Sequence, residues 1–320
     1  AMRGLIQTCF RRVLGVIAIN LLLTASGLAQ SNERTHPMPD NSSAAECTTK
    51  TGLYCETYGS GEPILALHGL GASIYTWRKL VEPLAKNHKL ILIDLKGAGK
   101  SPKPHDNRYS IQEQADLIFQ FIQEHDLKNL TLMGNSYGGA VSLLVTLKLN
   151  KEKANRLSKL ILIDSGGYNE SLPWYLKLMR TPILGWLAIH IMSATSSART
   201  VLRYSYYNKS LITQEQIAAY AGPIGSPGGK YALLKTAQQA IPKNIDEFTS
   251  QYPTITVPTL ILWGREDKVI PLRIGRKLDE AIPDSTLIIL EKAGHVPQEE
   301  IPEETIPPML KFLQDPHSLP

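Results

Sequence analysis

Cysteine is scarce in this chain. Among 320 residues it occurs only as Cys9, Cys47 and Cys55, which excludes a scaffold built on a disulfide framework. An excess of one charge is missing too. Lys and Arg total 34 against 29 Asp and Glu, a formal +5, and Arg3, Arg11 and Arg12 fall within the first 29 residues, which hold no acid. The remainder is close to neutral and carries no basic footprint for nucleic acid. Internal repeats are lacking. The apolar stretch 172–192 contains Lys177, Arg180 and His190, and its uncharged runs are too short to span a membrane. Residues 92–101, "LIDLKGAGKS", lack the first glycine of a phosphate-binding loop, because the position counted back from Gly99 is Asp94. Pro102 and Pro104 then indicate a loop where such a site needs a helix. No nucleotide, other cofactor or metal is expected.

What is present describes an ordinary globular protein, with 43% hydrophobic and 20% charged residues. Residues 1–29 read as a signal peptide: arginines, an apolar centre, and a small-residue end with cleavage expected after Ala29. Export to the periplasm or medium follows, and an uncleaved segment would instead anchor the chain in a membrane. Residues 30–45 are polar and turn-rich, a flexible leader. Cys47 and Cys55 flank "TTKTGLY", where a hairpin turning at Thr51–Gly52 would set them opposite each other. They are either a disulfide pair or two free thiols.

From there short apolar runs recur at residues 63–69, 89–95, 129–134, 159–165, 258–264 and 285–291, with helical patterns at 110–127 and 138–149. Runs apolar on both faces suit a buried parallel sheet, and their alternation with helices predicts a doubly wound, mostly parallel α/β fold. "YCETYGSGEP" adds an antiparallel hairpin strand at one edge. Residues 169–252 show helix patterns and no clear strand. They are expected to form a helical cap inserted between core segments 46–168 and 253–320, with 222–230 a flexible joint within it.

The chemistry begins at "GNSYGG", residues 134–139, which is G-x-S-x-G between a strand and a helix. Gly134 and Gly138 permit a sharp turn that lifts Ser136 above the sheet at a helix N-terminus. A serine nucleophile needs a base oriented by an acid, in chain order Ser, acid, His. Asp267 in "GREDKVIP" and His295 in "GHVPQEE" both follow strands; Asp164 is a rival acid, and its neighbours "DSGG" point to a turn-capping role. The tetrahedral oxyanion needs two amides. Tyr137 supplies one, and Leu70 in "HGLG" the other, with Gly71 the alternative; His68 is read as a buttress of that loop.

With "HGLG", "DLKGAGKS", "GNSYGG", "GREDKVIP" and "GHVPQEE" in this order, residues 52–313 resemble the α/β-hydrolase family. The resemblance assigns "DLKGAGKS" to a turn held together by Asp94 and Ser101. It implies a serine hydrolase of small to medium apolar carboxylic esters, acting through Ser136, Asp267 and His295. The elbow is also similar to that of carbon–carbon hydrolases of ring-cleavage products, although these usually carry Trp after the histidine, where Val296 stands here. A prolyl aminopeptidase-like hydrolase and a non-catalytic binding protein on the same fold are also compatible with these motifs. Trp174, Met179 and Trp186 of the cap are expected to contact the substrate.

Overall fold

The computed structural model describes residues 44–47, 49–153, 155–169 and 172–319. The expected signal peptide and nearly all of the leader lie outside them. A short hairpin, β1 (Ala45–Glu46) and β2 (Cys55–Tyr58), precedes six longer strands. These are β3 (Glu62–Leu67), β4 (His88–Ile93), β5 (Leu130–Asn135), β6 (Leu157–Ile163), β7 (Thr259–Gly264) and β8 (Ser285–Leu290), one for each apolar run. They form one sheet in the order β1-β2-β4-β3-β5-β6-β7-β8, parallel from β4 to β8.

The reason these runs are apolar throughout is visible in their alternation. Leu65, Leu67, Ile91, Ile93 and Leu132 face one hydrophobic cluster, while Ile64, Ala66, Leu90, Leu92 and Met133 face another on the opposite side. The first cluster is roofed by α2 (Ile111–Glu124) and α3 (Tyr137–Lys151). The second is closed near the start of the chain by the short α1 (Val81–Ala85). Ser110 and Glu113 start α2 with a reciprocal capping box.

The hairpin differs from expectation in its place. β2 is antiparallel, but it pairs with β4, Cys55 opposite Ile93, and β1 lies outside it. Gly59 and Gly61, at φ 68° and 116°, carry the chain from β2 to β3 past the backbone of Ala85–His88, where any side chain would collide with carbonyl oxygens. A Cys47–Cys55 disulfide closes the hairpin, with Cα atoms 5.4 Å apart. Ala45, assigned to the leader, is strand.

Between β6 and β7 the described residues contain helices and no strand: α4 (Trp174–Arg180), α5 (Pro182–Ile191), α6 (Ala194–Ser205), α7 (Gln214–Gly225), α8 (Gly229–Gln239) and α9 (Ile245–Thr249). Residues 172–192 are thus two helices. Pro182 cannot continue α4, and Thr181 before it is extended (φ −79°, ψ 129°), as a residue preceding proline prefers. The supposed joint at 222–230 is mostly the end of α7 and the start of α8, linked by Gly228 at φ 76°. After β7 come α10 (Arg273–Ala281), α11 (Pro297–Glu300) and α12 (Pro302–Gln314), the last burying Met309, Phe312 and Leu313 in the second cluster. Among the described residues no helix is long and apolar enough to cross a membrane.

Candidate active site

β5 ends at Asn135 and α3 starts at Tyr137, so Ser136 alone makes the turn between them. Its φ of 56° and ψ of −118° are strained for a residue with a side chain. Neighbouring backbone holds it there: its amide donates to Ile163 O (3.0 Å), and its carbonyl accepts from the amides of Gly139 (3.0 Å) and Gly166 (2.9 Å). Both glycines of the motif are sterically required. A Cβ on Gly134 would collide with the Gly138 carbonyl, and one on Gly138 with the carbonyls of Leu67 and His68.

Asp267 follows β7 and His295 follows β8, and the structure brings both to Ser136. His295 Nδ1 lies 2.7 Å from Asp267 Oδ2 and Nε2 lies 2.7 Å from Ser136 Oγ. Because the carboxylate only accepts, Nδ1 carries the proton, which leaves Nε2 to accept from the serine hydroxyl. Asp267 Oδ1 accepts from the amides of Val269 (2.7 Å) and Ile270 (3.0 Å), which fixes the carboxylate. Asp267 and His295 are buried, while Ser136 is half-exposed.

Asp164 sits in the same corner, fully buried at φ 44°, and its Oδ1 accepts from the Gly264 amide (2.9 Å). Its role is not the local turn expected of it, since this bond ties β6 to the end of β7. Burial first, and the Asp267 charge second, push its pKa well above the usual carboxylate range. Asp164, Asp267 and His295 offer ligand atoms within 4.8 Å of one another, the composition of a small metal site. Two of the three, Asp267 and His295, are already bonded to each other, and Asp164 Oδ2 is buried without a hydrogen-bond partner among the described residues.

The loop after β3 approaches from the other side. Leu70 and Tyr137 both border the cavity that opens on Ser136, whereas Gly71 does not. Among the described residues the amides of Leu70 and Tyr137 donate to no protein acceptor. His68 holds this loop as expected: Nδ1 meets Gly69 O at 2.8 Å and Nε2 accepts from the Leu95 amide at 3.0 Å. Accepting at Nε2 needs the neutral ring, and burial lowers the His68 pKa accordingly. The "DLKGAGKS" turn is also as expected. Asp94 accepts from the amides of Ile74 and Lys100 (both 2.8 Å), and Ser101 Oγ joins Asp94 O to the Tyr54 amide.

The cavity measures about 110 Å³ and is walled by Ile111, Leu144, Leu172, Leu176, Phe248 and Val269 among others, with no charged side chain among the described residues that line it. Trp174, Met179 and Trp186 do not line it. Trp174 Nε1 donates to Tyr204 Oη (2.7 Å), Met179 has its backbone against Gly185, and Trp186 stacks on His190 (centroids 4.5 Å apart), 53% exposed. Leu172 and Leu176 line it instead, and Trp186 stands on α5, beyond the break at Thr181–Pro182.

Other residues at the site gave no separate sequence signal. Asn135, inside "GNSYGG", bonds through Nδ2 to Ile163 O and His295 O, both 3.1 Å. The His295 amide donates to Ser205 O (2.6 Å), and Glu300 accepts from the amides of Gly294, Tyr207 and Asn208. Glu299, fully buried, binds Arg78 Nη1 (2.7 Å), Thr76 Oγ1 (2.7 Å), Tyr206 Oη (3.2 Å) and Tyr220 Oη. "PQEE" is thus a junction between core and cap.

The chain is 28% identical to Lipase 3 of Moraxella sp. (strain TA144) over 251 residues, 77% of this chain and 75% of that one. It is 27% identical over 258 residues to a 2-hydroxy-6-oxononadienedioate/2-hydroxy-6-oxononatrienedioate hydrolase of Cupriavidus pinatubonensis, covering 79% and 87%. Its fold matches the crystal structure of an α/β-hydrolase-fold protein from Burkholderia ambifaria at TM-score 0.74 and 23% identity, covering 87% of this chain and all of that one. The family model for the alpha/beta hydrolase fold matches residues 62–302, from the start of β3 to the start of α12, and this chain is a hydrolase of that family.

Proposed function

We propose that this hydrolase cleaves uncharged carboxylic esters with a small to medium apolar acyl group. Ser136 Oγ attacks the ester carbonyl as His295 Nε2 takes its proton, and the amides of Leu70 and Tyr137 hold the oxyanion. Collapse expels the alcohol with the proton from His295. Water, activated by the same nitrogen, then releases the acid from the serine. Asp267 keeps the imidazole oriented and stabilises its charged form. The observation that carries the choice of substrate is the uncharged lining of the cavity beside Ser136. A dienedioate, the substrate class in the name of the Cupriavidus relative, brings two carboxylates and would meet no cation there. Val296, next to His295, agrees with this reading.

The test is a panel of p-nitrophenyl esters, an aminoacyl amide and a dienoic diketone. Turnover per KM should rise from acetate to butyrate or hexanoate, each added methylene being worth about fourfold while it finds apolar wall, and then fall. A flat profile, or faster carbon–carbon cleavage than any ester hydrolysis, overturns the proposal. Failure of a fluorophosphonate to label Ser136 would make the chain a binding protein instead. We also infer export. The composition of residues 1–29 supports it, as does a disulfide suited to an oxidising compartment. Intact-mass measurement of the protein from its native host should give a chain beginning after Ala29.

A further inference from the structure

Helix α5 is an anomaly among the helices of this fold. It reads PILGWLAIHI, with no Lys, Arg, Asp or Glu, yet only Gly185 and Ile189 are buried. Ile183 is 74% exposed, Leu184 46%, Trp186 53%, Leu187 40% and Ile191 64%. The outward display is not looseness. Gly185 packs so closely on the Met179 backbone that any side chain there would collide, which locks α5 against α4 through its smallest residue and leaves the large ones outside. An apolar cluster of this kind on one exposed helix marks a contact surface.

The charge around it identifies the contact. The two helices packed against it, α4 and α8, hold Lys177, Arg180, Lys230 and Lys235 and not one Asp or Glu. Elsewhere basic side chains pair with acids: Lys96 with Asp106, Lys148 with Asp116, Arg156 with Asp126, Arg265 with Glu291. None of these four cations has an acidic partner among the described residues. An apolar helix carrying an exposed tryptophan and surrounded by unneutralised cations has the chemistry of a segment lying in the headgroup region of an anionic bilayer. A protein partner would require a matching acidic and apolar surface, whereas an anionic phospholipid bilayer supplies both components together. We propose that α5 docks the cap on an anionic phospholipid surface, lying in the interface without crossing it.

The test uses the chain that begins after Ala29, the form the inferred export would leave, so that the apolar N-terminal segment does not contribute. This form should co-sediment with phosphatidylglycerol-containing vesicles far better than with pure phosphatidylcholine vesicles, and rising salt should release it. Lys177→Glu and Arg180→Glu should each weaken binding by about fivefold or more. Ile183→Ser with Ile191→Ser should abolish the binding and leave turnover of a water-soluble ester unchanged, since neither side chain reaches the cavity. Equal binding to both vesicle types, binding indifferent to salt in the unsubstituted chain, or a solution dimer dissociated by the serine pair would overturn the proposal. The last result would assign the face to a second copy.

Discussion

Asp267 accepts hydrogen bonds from two backbone amides and from His295, whereas Asp164, beside it, accepts one from Gly264. Three donors fix the first in place, and burial beside it holds the second as an acid. Ser136→Ala and His295→Ala should each lower kcat by about 10⁶-fold, with the double variant hardly worse, because members of such a unit do not add. Asp267→Asn should cost about 10⁴-fold by favouring the wrong tautomer. Asp164→Asn keeps the size and neutrality of the protonated acid and should leave kcat within about tenfold. Steady-state kinetics of the four variants on one ester decides it, and a crippled Asp164→Asn would exchange the two assignments. The same carboxyl affects stability. Its native pKa is raised, so above about pH 4, where an unfolded aspartate ionises, the native state keeps a proton that the unfolded state loses. Its contribution is therefore full below that pH and lost as pH rises. Asp164→Asn does not titrate, so its Tm relative to the parent should climb between acid and neutral pH in a calorimetric series.

At the scale of elements, the junction made by α11 matters most. Glu299 and Arg78 form a pair with almost no exposure, and Tyr206 and Tyr220 bring α6 and α7 to the same carboxylate. Removing one partner of a buried pair typically costs about 3–5 kcal/mol, because the other is left charged and dry. Glu299→Gln should lower the Tm by many degrees and raise KM by loosening the cap. Adding Arg78→Met should recover part of the Tm. Thermal unfolding of both variants tests this. The strands were legible because a strand covered on both faces must be apolar throughout, as in "PILALHG". The meeting of Ser136, Asp267 and His295 was legible because each stands within a few residues after such a run. The orientation of α5 was not: with apolar residues at nearly every position, a helix has no sequence feature to say which face turns inward. The break that separates it from α4 could be read only from Pro182, whose meaning as a break depends on the fold around it.

Across the whole molecule, the placement of β2 depended on neighbours distant in sequence, which is why its pairing with β4 and the outer position of β1 went unread. Cys55 stands level with Ile93, at the same end of the sheet as Ser136, but β4 and β3 separate β2 from β5. Three strand spacings amount to about 14 Å. Reduction should therefore leave ester turnover unchanged while lowering stability by up to about 2.5 kcal/mol, the constraint on an unfolded loop of this size. Denaturant titration with and without reductant, alongside activity, measures both.

The Ser205–His295 bond also decides how a substrate travels. Ser205 closes α6, and next to it Tyr207 and Asn208 are held by Glu300, so this corner of the cap is stitched to the residues that carry the histidine. Were the cap to lift here, it would drag the imidazole from Ser136 at each opening. Traffic should therefore use another part of the rim, where the described lining residues Leu172, Leu176, Ala240, Ile241, Ile245 and Phe248 are apolar. Hydrogen exchange should be slow at the His295 amide and fast along 240–248, a fixed doorpost beside a swinging door.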